Sequence, residues 1–165
     1  LSLVSGSNTV LPDASSGPIY ESEVLVEDLF IAGLPRLHVD VTTATVGGQL
    51  YALLEDCDDQ SNCIHLGHAI MDLRYHEGGD VVQTWAPLTQ TINAKMEFFA
   101  MDVEVPAGHV LRLTLSSTGE DYLPASTSSV VFVQEGATST LQLDTFDPAE
   151  RRYFTPPVCT HERCL

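Results

Sequence analysis

The chain has 165 residues, enough for one domain with a sizeable buried core, and its seven Lys+Arg against 23 Asp+Glu give a formal net charge of −16. Such a surface repels nucleic acid and anionic lipid, and no apolar run approaches the ~20 residues that a membrane-spanning helix needs. Lys95 is the only lysine, and the acidic excess favours solubility, most of all in a salty medium that screens self-repulsion.

In chain order, Leu1 to Val4 is expected as a short strand, and Ser5 to Pro18, rich in Ser, Gly, Asn, Asp and Pro, as a loop. Residues 1–18 thus make an N-terminal arm in which Leu1, Leu3, Val4 and Val10 alternate with polar residues. Such an arm can pair with its own sheet edge or add a strand to a neighbouring subunit. That Leu1 rather than Met comes first is what removal of a signal peptide, or cleavage from a larger precursor, leaves.

Residues 19–146 carry the strand pattern. Ile19 to Ile31 alternates weakly and is expected to hold one strand. In Arg36 to Thr43, Leu37, Val39 and Val41 face one way while His38, Asp40 and Thr42 face the other, as a half-buried strand requires. Leu50 to Leu54 is apolar on both faces, as in a central strand, and Ile64 to Tyr75 follows, with Gly67 suggesting a bulge. His76 to Asn93 reads as a long loop.

Ala94 to Val105 changes phase, with Met96 and Phe98 on one face and Phe99, Met101, Val103 and Val105 on the other, the mark of a bulge at a sheet corner. From Leu111 to Leu115, leucine alternates with Arg112 and Thr114 after the turn Pro106-Ala107-Gly108-His109. Val130 to Gln134 and Thr140 to Leu143 close the series. Eight to ten short strands without a convincing helix point to an all-β sandwich; one helical turn is conceivable only at Pro148 to Arg152.

Four segments resemble the C-terminal non-catalytic jelly-roll domain of X-Pro dipeptidyl-peptidases, cocaine esterases and related α/β-hydrolases. They are the segment from Val26 to Leu37 with its I-x-G-x-P-x-L turn, Gly48 to Asp56, Gly67 to Tyr75, and the P-A-G-H strand from Pro106 to Ser117. Met71 stands where that family more often has a basic residue. The resemblance implies a galactose-binding-like jelly roll and an accessory module separated from its catalyst. It places His109 at a structural turn. Residues 147–165, with Tyr153, Phe154 and a second cysteine pair, form a tail that the resemblance does not explain.

The nucleophile elbow G-x-S-x-G of those hydrolases is absent, so no catalytic residue is assigned and the chain is not expected to be an enzyme. The cysteines fall into two close pairs, Cys57 with Cys63 and Cys159 with Cys164. Local pairing closes two short loops, and two disulfides imply an extracellular or cell-surface location.

Asp56, Asp58 and Asp59 place hard oxygen ligands in the first of those loops, a candidate calcium site beside the simpler reading of a solvated acidic turn. No other cofactor is expected. His65 and His68 are three apart on a predicted strand, so without a bulge they face opposite sides and cannot chelate together. Trp85 and Tyr122 are candidates for stacking on a sugar, although Trp85 can equally cap the core. Arg74 and Arg112 are read as partners for the abundant carboxylates.

The function expected is that of a non-catalytic extracellular β-sandwich that associates with itself or with another extracellular protein, the arm offering a route to a fibre. Carbohydrate binding, as an accessory module of a secreted serine hydrolase, is the alternative. Neither nucleic acid nor a membrane span enters either reading.

Overall fold

The computed structural model describes residues 9–119, 122, 128–134 and 138–147. Among them eleven strands follow in chain order: β1 Thr9–Val10, β2 Ile19–Glu21, β3 Leu29–Gly33, β4 Arg36–Thr43, β5 Gln49–Cys57, β6 Cys63–Asp72, β7 Ile92–Glu97, β8 Met101–Val105, β9 Val110–Ser116, β10 Val131–Gln134 and β11 Thr140–Gln142. Every strand pairing is antiparallel. One sheet runs β2-β9-β5-β6, the other is built on β4, and β3 with β8 makes a small third sheet.

Alternation decides which way each strand faces. Leu37, Val39 and Val41 of β4 are fully buried, as are Leu113 and Leu115 of β9, and they meet in one core with Leu50, Ala52 and Leu54 of β5. Each leucine so buried contributes roughly 2 kcal/mol of apolar transfer. The intervening residues point outward, where in-register partners carry opposite charge: Glu21 faces Arg112 and Arg36 faces Glu97. Both pairs form salt bridges, at 2.7 and 3.4 Å. The result is an all-β sandwich.

Strand β4 is the spine of its sheet. Strand β7 takes one edge, and the other is shared end to end by β10, against Thr43 to Asp40, and β11, against His38 to Arg36. Buried Ser139 patches the break, accepting from the Asp40 N–H and donating to the Gln134 carbonyl. Val10 of the arm pairs with Val131 and lies in the core.

Three sequence expectations change. Ile19 to Ile31 holds two strands, because Leu25 between them is hydrogen-bonded to the turn before β9 and the chain changes sheet there. The strand expected to reach Tyr75 ends at Asp72, whose carboxylate caps a 3-10 turn over Leu73–Tyr75. The phase change in residues 94–105 is a full break: β7 pairs with β4, Phe98 to Ala100 turn the chain, and β8 pairs with β3. Leu1 to Val4 and Pro148 to Arg152 lie outside the described residues.

Candidate functional site

Three of the four segments that carry the family resemblance, those holding Asp28, Asp56 and the P-A-G-H turn, meet at one end of the sandwich. Gly108, at φ 87°, lets the P-A-G-H turn fold back. Its N–H donates to the Leu25 carbonyl, and the Leu25 N–H donates to the His109 carbonyl. Ala107 N–H donates to Asp28 Oδ1 at 2.8 Å. His109 Nδ1 lies 2.7 Å from Asp56 Oδ1, a pair in which the histidine side chain is 28% exposed and the aspartate only 7%. This is a clamp between three chain segments, and it leaves His109 in the structural role expected of it.

The β5–β6 turn lies beside the clamp. Cys57 and Cys63 are directly paired across the strands and form a disulfide. Asp58 accepts from the backbone N–H groups of Gln60 and Asn62 and from the Asn62 side chain. The Asn62 side-chain bond, followed by its backbone bond, holds the Asp58 carboxyl below its ordinary value. Of the calcium candidates, Asp56 is therefore turned toward His109, Asp58 toward its own loop, and Asp59 is exposed. Among the described residues no three His, Cys, Asp or Glu groups converge where an ion could sit.

The second assembly lies on the outer face of the β2-β9-β5-β6 sheet, where a groove of about 390 Å³ is lined by Tyr51, Leu53, Glu55, His65, Thr114 and Ser116. Its architecture depends on a bulge. Leu54 pairs with Gly67 while Glu55 pairs with His65, so Leu66 is skipped and the side-chain phase slips by one. The slip puts His65 and His68 on the same face, correcting the expectation that they face apart. His65 Nε2 lies 3.3 Å from His68 Nδ1, and His68 Nε2 lies 3.0 Å from the Tyr122 hydroxyl.

Four rings surround His68: His65 at 5.3 Å, Tyr122 at 5.5 Å, and Tyr51 and Phe99 each at 5.6 Å between centroids. Phe99 is largely exposed, so the rim of the groove is apolar as well as hydrogen-bonding. Gly119 forms part of the wall because a Cβ there would come within 2.5 Å of the Tyr51 ring.

The two sugar candidates part company. Trp85 is 6% exposed, and its Nε1–H donates to Thr43 Oγ1 at 2.8 Å, so the ring plugs the core beneath the long loop. Tyr122 stands beside the groove, its hydroxyl against His68 and its ring against Tyr51. Of the assembly candidates, Val10 is in the core, whereas Leu1, Leu3 and Val4 lie outside the described residues, as do Cys159 and Cys164. Arg74 grips Asp72 and Arg112 grips Glu21, as expected of them.

Residues 6–155 match the family described as the X-Pro dipeptidyl-peptidase C-terminal non-catalytic domain. The chain belongs to that family. Membership agrees with the missing nucleophile elbow: the domain is non-catalytic, and three of its four resemblance segments meet in the clamp. No curated protein matches the chain in sequence.

Solved structures share the fold. An aminopeptidase from a marine sediment Thaumarchaeota archaeon superimposes with a TM-score of 0.68 at 14% identity, over 79% of this chain and 26% of that one. An α-amino acid ester hydrolase gives 0.68 at 17% identity, over 78% of this chain and 25% of the other. A CocE/NonD family hydrolase from Staphylococcus aureus gives 0.66 at 10% identity, over 88% and 33%. The chain therefore spans a quarter to a third of the length of these structures.

Proposed function

We propose that this domain works outside the cell by association, positioning a partner rather than turning over a substrate. The observation that carries the reading is its membership of a non-catalytic domain family whose fold occupies a quarter to a third of hydrolase chains. An α/β-hydrolase domain is accordingly the first class of partner. A second copy of the chain, reached through the residues ahead of the Thr9–Val10 strand, which pairs within its own chain, is the other. The Cys57–Cys63 disulfide supports an oxidising compartment, and the charge of −16 supports a salty one.

Exposed apolar residues give association a physical basis. Val24 and Val26 stand out from the linker that the clamp holds, Val26 at 95% exposure, and an ordered backbone presenting apolar side chains is what a docking surface needs. Light scattering on the intact chain and on a deletion of residues 1–8, which spares the core residue Val10, tests self-association. A concentration-dependent rise in mass that the deletion abolishes is expected if the arm joins subunits; a strict monomer removes that branch and leaves the hydrolase partner. Turnover of a chromogenic ester or dipeptide by this chain alone overturns the non-catalytic reading.

A second reading, carbohydrate binding, is favoured by the groove, which Tyr51, hydroxyl groups and Glu55 line and beside which Tyr122 and exposed Phe99 add rings. A glycan array probed with the wild type and Tyr122→Ala decides it. Signal that the variant loses supports the reading, and an array without signal ends it.

A further inference from the structure

The histidine pair on the groove rim has a geometry that neither association nor sugar binding uses. A tetrahedral zinc ion with Zn–N bonds of about 2.0–2.1 Å holds two ligand nitrogens about 3.3–3.4 Å apart. His65 Nε2 and His68 Nδ1 are already 3.3 Å apart. The bulge at Leu66 sets this spacing; an unbroken strand would send the two rings to opposite faces.

Three further features fit a metal. Metal-bound imidazoles commonly have the far ring nitrogen held by a hydrogen-bond partner, which fixes the ring and its tautomer. His68 has such a partner, its Nε2 lying 3.0 Å from the Tyr122 hydroxyl while Nδ1 faces His65. Glu55 is the cross-strand partner of His65 and lines the same groove, so a side-chain rotation can offer its carboxylate as a third ligand. Lastly, His65 is exposed, which leaves an approach from solvent for the ion and room for water in the remaining positions.

We infer that His65 Nε2 and His68 Nδ1 chelate a divalent transition metal of the zinc type at the groove rim, with Tyr122 orienting His68, and with Glu55, which does not converge on the pair in the metal-free arrangement, turning in to supply the carboxylate. The site lies on the outer sheet face, one register step from Asp56, and joins nitrogen with oxygen ligands. Such a set suits zinc, copper or nickel, whereas calcium takes an all-oxygen shell.

The test is titration of the full-length, oxidised chain with zinc chloride by calorimetry in a non-chelating buffer, with no reductant so that the cysteines stay paired. One ion per chain is expected, and excess calcium should not displace it. His65→Ala should weaken binding more than about tenfold, and Tyr122→Phe, which removes only the orienting hydroxyl, by up to about tenfold.

His65→Asn serves as a second ligand variant of closer size, and circular dichroism checks the fold of each. Absence of saturable zinc binding by the wild type overturns the inference. So does unchanged affinity in both His65 variants, which would place the ion elsewhere, and so does displacement by calcium, which would mark a diffuse acidic surface.

Discussion

The clamp end of the sandwich and the groove on its outer face both contain histidine, carboxylate and hydrogen-bonding side chains, yet they are built on opposite plans. In the clamp the groups answer one another: His109 meets Asp56, Asp28 meets the Ala107 N–H, and Asp58 is saturated by its own loop. In the groove His65, His68 and Tyr122 form a chain that ends at the exposed His65, and the groove beside it is open space lined by Glu55 and Thr114. A satisfied network stabilises a fold, whereas an open groove has capacity left for a ligand. Histidine content alone cannot tell the two apart; the burial and partners of each ring can.

The sharpest way to break this contrast is to remove one histidine from each region. His109→Ala strands the nearly buried Asp56 carboxylate beside an empty site, and should cost about 3 kcal/mol of unfolding free energy. His65→Ala removes an exposed ring and should stay within about 0.5 kcal/mol. Urea titration of both variants checks the pair. Equal costs would mean that the groove is as structural as the clamp.

A smaller effect is expected at the β5–β6 turn. Replacing Cys57 and Cys63 together by serine opens a loop of sequence separation 6, and chain entropy sets the loss at about 2 kcal/mol. The same urea series measures it. Because the disulfide lies directly across two strands already in register, a loss well above this figure would show that it also holds the clamp in place.

Much of the fold was legible because strand alternation is a local signal. Leu37, Val39 and Val41, and then Leu111, Leu113 and Leu115, could be assigned to the core from their spacing alone, and all six are buried. The groove was not legible in the same way, because it depends on how two local signals combine. Gly67 announced a bulge and His65-x-x-His68 gave a pair; only with the bulge placed between them do the rings share a face. Tyr51, Glu55 and Phe99 carried no motif, and they meet His68 through pairing across strands and a sheet-changing turn. Trp85 fails differently: its position in a loop said nothing of its facing, and the indole N–H found a buried hydroxyl.

The smallest expected effect concerns acid, and it also belongs to structural pairs rather than to the groove. Burial pushes the Asp72 carboxyl up, but the hydrogen bonds and charge of Arg74 outweigh it and hold the group below its ordinary value of 3.8. Asp58 is likewise held down by Asn62. A carboxyl depressed in the fold binds fewer protons there than in the unfolded chain, so its stabilisation is complete above the unfolded value and is lost as pH falls through the folded one.

The melting temperature should therefore decline below about pH 4, and the Asp58→Asn and Asp72→Asn variants should each remove part of that slope. Asparagine keeps an acceptor oxygen for the Gln60 and Asn62 or Arg74 N–H groups but cannot gain a proton in this range. Wild type and variant should thus differ most near neutrality and converge in strong acid. Asp72, paired through two oxygens with Arg74, should contribute more than Asp58, whose carboxylate is open to water. Parallel curves for the wild type and both variants from about pH 5 to pH 2 would show that these pairs do not carry the acid response.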